Sequence, residues 1–154
     1  MKNCEIRYAR KEDYEMVSTI MRQVQQLHVD WRPDIYKPND IVLSQNEYEE
    51  AIEAKTFVVA VCDGQVVGLL WYLLRHIENP NQVTRDILFV DSMAVEEEYR
   101  GQGIGRQLFD FIKQVAEKQH LDGIELQVNA RNKQAKAMYE SYGFTEKSIN
   151  MELL

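Results

Sequence analysis

The apolar positions of this chain change period several times, and each change predicts an element. Glu5 to Tyr8 reads as a short first strand. Val17, Ile20, Met21, Val24 and Leu27 recur at spacings of three and four, predicting a helix over Glu12 to Leu27. Pro33 and Pro38 break the next stretch into a loop. Ser44 with Glu47 three residues later forms a capping box, opening a short helix with Tyr48, Ala51 and Ile52 on one face. Phe57 to Cys62 and Gln65 to Arg75 are β-rich runs joined by Asp63-Gly64, a strong hairpin signal. Gly68 inside the second run marks a bulge or a close backbone approach.

The second half continues the alternation. The turn Asn79-Pro80-Asn81 precedes a long strand from Arg85 to Val95. Ile104, Leu108, Phe111, Ile112 and Val115 form one apolar stripe, predicting a helix over Ile104 to Gln119. Asp122-Gly123 turns the chain into a strand from Ile124 to Val128, and Arg131 to Ser141 reads as a helix closed by Gly143. Ile149, Met151 and Leu153 alternate, so Phe144 to Leu153 is expected to be a final strand. No repeat, low-complexity tract or linker interrupts this order, which predicts one α/β domain over residues 1–154.

Composition narrows the class. Apolar residues make up 45% and charged residues 28%, ordinary for a soluble globular domain. The first five residues contain no apolar secretory core, and the longest apolar run, Val66 to Leu74, is too short to span a membrane. Cys4 and Cys62 lie far apart without metal or redox spacing, so free thiols and a cytoplasmic location are expected. The formal charge of −7 argues against nucleic-acid binding and suits a cationic substrate. His28, His76 and His120 lack metal-ligand spacing and read as surface or capping histidines; no metal is expected.

The segment Arg100-Gly101-Gln102-Gly103-Ile104-Gly105 carries the candidate chemistry. Glycines without Cβ let the backbone approach a ligand, and the loop leads into a helix whose first N–H groups lack intrahelical partners. That combination is an anion site suited to a phosphate or pyrophosphate, with Arg100 and Arg106 flanking it. It is not a dinucleotide fingerprint, because the third glycine of that pattern would fall on Arg106, and it lacks the Lys-Ser/Thr of a P-loop.

A second segment adds specificity: Asn132, Ala135 and Tyr139, followed by Tyr142-Gly143-Phe144. Together with Arg100-x-x-Gly103-x-Gly105, it resembles the GNAT superfamily of acetyl-CoA-dependent N-acetyltransferases. The cofactor loop of that family reads Q/R-x-x-G-x-G/A, and its next helix N-x-x-A-x-x-x-Y followed by G-F. The resemblance is strong from about Thr56 to Phe144. It implies a GNAT-type mixed, largely antiparallel central sheet flanked by helices, in the order β-α-α-β-β-β-α-β-α-β.

The resemblance also implies roles. Acetyl-CoA would lie with its pyrophosphate on Arg100, Gly101, Gln102, Gly103, Ile104, Gly105 and Arg106. Its pantetheine arm would pair with the backbone of Met93, Ala94 and Val95 and hydrogen-bond Asn132, which otherwise simply opens its helix. Tyr139 would be the general acid for the departing thiolate, or else a core aromatic. Asp91 ranks first as base or amine anchor among Asp91, Asp86 and Glu125, with a solvated aspartate as the plain reading. Trp31 and Tyr36, in the loop from His28 to Tyr36, are candidate substrate-binding aromatics, or packing residues. The expected activity is acetyl transfer to a primary amine of a small cationic metabolite. The alternatives are a protein N-terminal or lysine amine, and a non-catalytic acyl-CoA-binding module. A homodimer paired through the last strand is expected, unless Glu146, Lys147 and Glu152 protect that edge.

Overall fold

The computed structural model describes residues 4–154. Five strands form one sheet in sequential order: β1 (Glu5–Tyr8), β2 (Phe57–Cys62), β3 (Gln65–Asn79), β4 (Gln82–Val95) and β5 (Gly123–Leu126). The first four pair antiparallel and β5 runs parallel to β4. The four helices are α1 (Tyr14–Trp31), α2 (Gln45–Ala54), α3 (Ile104–Lys118) and α4 (Lys133–Tyr142).

Both faces of the sheet are covered. Val17, Ile20 and Met21 of α1 and Tyr48 and Ala51 of α2 pack with Phe57, Val59, Leu69 and Ala94. Leu108, Phe109 and Ile112 of α3 and Tyr139 of α4 pack with Val58, Ala60, Leu70, Leu88 and Val90. Adjacent β2 residues therefore face opposite cores, which is why this strand is apolar throughout rather than alternating.

Local chemistry sets the boundaries. Ser44 Oγ accepts the Glu47 N–H at 3.1 Å, and Glu47 Oε1 accepts the Ser44 N–H at 3.4 Å, so α2 begins with the expected capping box. Asp63 (φ 51°) and Gly64 (φ 76°) both lie in the left-handed region and close a two-residue hairpin between β2 and β3. Buried Asp13 receives a two-pronged hydrogen bond from Arg7 at 2.7 and 3.1 Å, tying β1 to the start of α1. Burial alone would raise the Asp13 pKa; the bonds from Arg7 and the Arg10 N–H outweigh it and hold the carboxyl below its usual range.

Three expectations require correction. α1 continues through His28 to Trp31, its Val24, Leu27, His28 and Trp31 half-buried, until Pro33 forces Arg32 out of helical geometry (φ −141°, ψ 72°). Residues 144–154 form no strand, and no backbone ladder among the described residues joins them to β5. Cys4 and Cys62 are not free thiols. The β1–β2 register pairs Glu5 with Val61, which sets Cys4 opposite Cys62 at a Cα separation of 4.7 Å, and the two form a disulfide. A bond between residues 58 apart leaves no local spacing motif, and the pair no longer argues for a reducing compartment.

The disulfide joins the edge strand to the sheet interior, and closing a loop of that length stabilises by about 4 kcal/mol in the chain-entropy account. Urea unfolding with and without reductant should show wild-type stability falling by about 2–4 kcal/mol on reduction. The Cys4→Ser variant should not respond to reductant. Superimposable wild-type curves would mean that the bond does not form.

Candidate active site

The site begins with one extra residue in β4. Trp71 pairs with Ser92 and Tyr72 with Val90, so Asp91 is left without a partner in β3 and forms a bulge. The bulge inverts the strand's faces: Leu88 and Val90 point into the α3–α4 core before it, whereas Met93 and Val95 do so after it. Parallel pairing with β5 covers Ile87 to Val90 and stops there. Beyond the bulge, among the described residues, Ser92 to Val95 pair with β3 only.

The direction of the open groups follows from a neighbouring bond. The Glu96 N–H donates to Val67 C=O of β3 at 2.8 Å, so the Val95 carbonyl across that trans peptide points away from β3. By alternation, the N–H and C=O of Met93 and Val95 face the gap between β4 and β5. Ala94 faces the other way and pairs with Leu69.

At the end of this gap lies the glycine loop. Gly101 (φ 75°) and Gly103 (φ 83°) adopt left-handed geometry that a side chain would strain, and open space lies where a Cβ of Gly101 would be. The first bond of α3 runs from Gln107 N–H to Gly103 C=O at 3.2 Å. The N–H groups of Ile104, Gly105 and Arg106 therefore have no intrahelical acceptor. Glycine backbone, free N–H groups and the positive helix end fit a pyrophosphate.

The rest of the loop is more structural than the sequence suggests. Arg100 Nε donates to the Val95 carbonyl at 2.9 Å, fastening the loop to the strand. Arg106 leans over the Tyr142 ring, 5.3 Å from its centroid, and donates to Ser141 C=O at 3.4 Å, so it ties α3 to α4. The Ile104 side chain is buried against Gly68. Gly105 is a packing glycine: a Cβ there would lie 2.5 Å from Met138 Cε and 2.9 Å from Met93 Cε. Gln102 donates to Glu98 C=O at 3.1 Å.

α4 supplies two further groups. Asn132 caps the helix, its side-chain oxygen accepting the Ala135 N–H at 3.2 Å, which leaves its amide NH2 as a donor. The Tyr139 ring is buried against Phe109 and Phe144, and its hydroxyl has no protein hydrogen bond among the described residues. Burial raises its pKa, so the phenol stays protonated at neutral pH.

α1 runs past the mouth of the gap. Gln23 Nε2 reaches Glu96 at the end of β4 (3.3 Å), and the Trp31 carbonyl accepts from Arg131, in the loop after β5, at 2.6 Å. Between these anchors His28 meets Trp31 edge to face (5.5 Å) and Tyr36 at a tilt (4.9 Å). His28 is half-buried rather than a surface histidine. Its Nδ1 is sealed from solvent with no partner among the described residues, and burial lowers its pKa. An apolar-stripe position gave no signal for this, and nothing in the pattern pointed to Arg131.

The carboxylates separate cleanly. Asp91 is exposed, accepts the Ser92 hydroxyl at 3.0 Å and pays no burial cost. Glu125 is taken by Lys147 (2.8 Å) and Arg85 (3.1 Å), the Lys147 bond first among the causes holding its pKa down. Asp86 pairs with His76 at 2.6 Å. Among the described residues no cluster of His, Cys, Asp and Glu has metal-binding geometry, and no helix is long and apolar enough to cross a membrane.

This geometry has known counterparts. The model of the acetyltransferase (GNAT) family matches residues 21–144, and the chain belongs to that family. A variant of the BH1408 protein from Bacillus halodurans has a similar structure, at 30% identity and a TM-score of 0.90, covering 97% of this chain and 98% of that one. The aminoglycoside N-acetyltransferase AAC(6')-Iy, solved in complex with CoA, shares the fold at 16% identity and a TM-score of 0.74 over 97% of this chain and 98% of its own. In sequence, 68 residues are 38% identical to the [ribosomal protein bS18]-alanine N-acetyltransferase of Escherichia coli (strain K12). That match spans 44% of this chain and 46% of the enzyme, so the chain covers about half the length of this curated relative.

Gly103→Val tests the loop. A β-branched residue at φ 83° is strained by about 1–3 kcal/mol, and the loop is expected to leave this shape to relieve the strain. Calorimetry should then show CoA binding weakened by roughly tenfold or more, since each 1.4 kcal/mol is about a factor of ten. Unchanged affinity in a folded variant would remove the loop from the binding site.

Proposed function

We propose that this chain transfers the acetyl group of acetyl-CoA to a primary amine of a small cationic metabolite by direct attack, with residues 1–154 acting as one acetyltransferase domain. The observation that carries this reading is the β4 edge left without a β5 partner beyond Asp91, with the glycine loop fastened to its end by Arg100. Met93 and Val95 bind the amide-bearing pantetheine arm as an added strand. The N–H groups of residues 101–106 hold the pyrophosphate, and the Asn132 amide donates to the arm. A backbone N–H freed beyond the bulge polarises the thioester carbonyl.

The reaction needs a neutral amine and a protonated leaving group. Exposed Asp91, on the bulge, collects the ammonium and takes up or relays its proton. The amine lone pair forms the C–N bond, the C–S pair goes to sulfur, Tyr139 gives its proton to the thiolate, and the N–H proton lost by the acylated nitrogen passes through solvent to restore the phenol. Burial keeps this phenol protonated at neutral pH, so it has a proton to give as charge develops on the sulfur. The rings of Trp31, His28 and Tyr36 form the acceptor wall, where a cation is attracted to aromatic faces. The net charge of −7 steers cationic acceptors inward.

A second reading, acetylation of a protein amine, is favoured by the ribosomal-protein acetyltransferase that half the chain resembles. An amine panel assayed for CoA release, set beside peptide N-termini, separates the two. Small polyamines are expected to be turned over and peptides not; the reverse result selects the second reading. Release with neither would leave a binding module.

Tyr139→Phe keeps the ring contacts and removes a hydroxyl that bonds nothing among the described residues, so thermal stability and CoA affinity should hold. The chemical rate should fall by roughly 10²–10⁴-fold in single-turnover measurements. An unchanged rate would return Tyr139 to a purely packing role.

A further inference from the structure

We propose that His28 is a specificity-determining hydrogen-bond donor to the acceptor, and that the small amine preferred by this site also carries a hydroxyl or ether oxygen. The proposal rests on the acetyl-transfer reading and on the acceptor wall assigned there. His28 Nδ1, at the root of the ring, is sealed from solvent with no partner among the described residues. The residue as a whole is half-buried, so its open part is the tip of the ring, where Nε2 lies. Nε2 likewise makes no hydrogen bond among the described residues.

That asymmetry fixes the chemistry of the imidazole. A neutral ring has one N–H donor and one lone-pair acceptor, whereas the cation has two donors. A proton on Nδ1 would leave a sealed N–H with nothing to receive it, the rarest kind of buried polar group. The proton of the neutral ring therefore sits on Nε2. The cation is disfavoured for the same reason, and burial holds the pKa below its usual value. His28 thus donates outward without repelling an ammonium.

The rings on either side are in the same condition. Trp31 lies 5.5 Å from His28 and Tyr36 4.9 Å, both half-buried. Neither the Trp31 indole N–H nor the Tyr36 hydroxyl makes a hydrogen bond among the described residues. The wall therefore presents unspent donors on apolar rings. The carboxylates of this segment are already taken: Asp30 accepts from Gln26 at 2.8 Å, Asp34 accepts from Arg32 at 2.7 and 2.9 Å, and Glu152 pairs with Arg32. A second ammonium on the acceptor would find no free carboxylate among them, whereas an oxygen finds donors. A methyl group in its place would cover those donors and leave them unpaired, which is how such a site rejects an analogue lacking the oxygen.

Aminobutanol, pentylamine and putrescine test this, being chains of equal length that end in a hydroxyl, a methyl or a second amine. With acetyl-CoA, the full chain should use aminobutanol with kcat/KM roughly tenfold above either of the others, the difference lying in KM. The preference for aminobutanol over pentylamine should collapse to about one in His28→Phe, which keeps an aromatic ring but has no donor. It should return toward the wild-type ratio in His28→Gln, whose amide restores a donor, with CoA affinity checking that each variant is folded. Nitrogen NMR of the wild type, assigned by the signal lost in His28→Phe, should show Nε2 protonated and Nδ1 bare at neutral pH. The Nε2 signal should move when aminobutanol joins the CoA complex. Equal use of aminobutanol and pentylamine, a preference that survives in His28→Phe, a folded His28→Gln no better than His28→Phe, or a proton on Nδ1 would overturn the role of His28 and leave acetyl transfer standing. Turnover of none of these amines would instead remove the small-amine reading, and this proposal with it.

Discussion

The bulge at Asp91 is the constraint on which the rest of this structure depends. Four parallel pairs bind β4 to β5 up to Val90 and Leu126, and one unpaired residue then ends the ladder. Without it, Met93 and Val95 would present the opposite faces, and the strand would have no reason to part from its neighbour. Unpaired backbone at a sheet interior is costly unless a ligand or water completes it.

Packing around the bulge keeps the edge open and in place. Gly68 of β3 lies against β4 and α3, where an added Cβ would sit 3.4 Å from the Ala94 carbonyl and 3.3 Å from Ile104. The Arg100–Val95 bond holds the glycine loop to the strand end, and Gly105 lets the first turn of α3 settle onto Met93 and Met138. The same residues that look like ligand contacts in a motif thus also fix the distance between the anion cradle and the strand edge. α1 closes the far side, anchored at Glu96 and at Arg131, and so carries its aromatic residues to the mouth of the gap.

What the sequence reveals follows the range of the interactions involved. The capping box at Ser44, the Asp63-Gly64 turn, the Gly143 helix end and the glycine loop are decided within a few residues, and the structure has each where the pattern predicts it. The bulge has no such signature, because the run around Asp91 reads as an unbroken strand and only its register with β3 exposes the extra residue. The Cys4–Cys62 bond and the Arg131–Trp31 tie depend in the same way on distant partners. Alternation at Ile149, Met151 and Leu153 predicts a strand, yet a strand exists only where an edge receives it. The half-buried setting of His28 was hidden because a polar residue on an apolar stripe resembles the end of a helix.

The central claim is that the open edge of β4 is where the pantetheine arm binds. Amide hydrogen exchange followed residue by residue, with and without CoA, tests it most directly. The account predicts new protection at Met93 and Val95 and at the loop and first turn of α3, residues 101–106, with no change at residues 87–90, whose amides already lie in the paired part of the sheet. CoA binding that leaves Met93 and Val95 exchanging as before would contradict it.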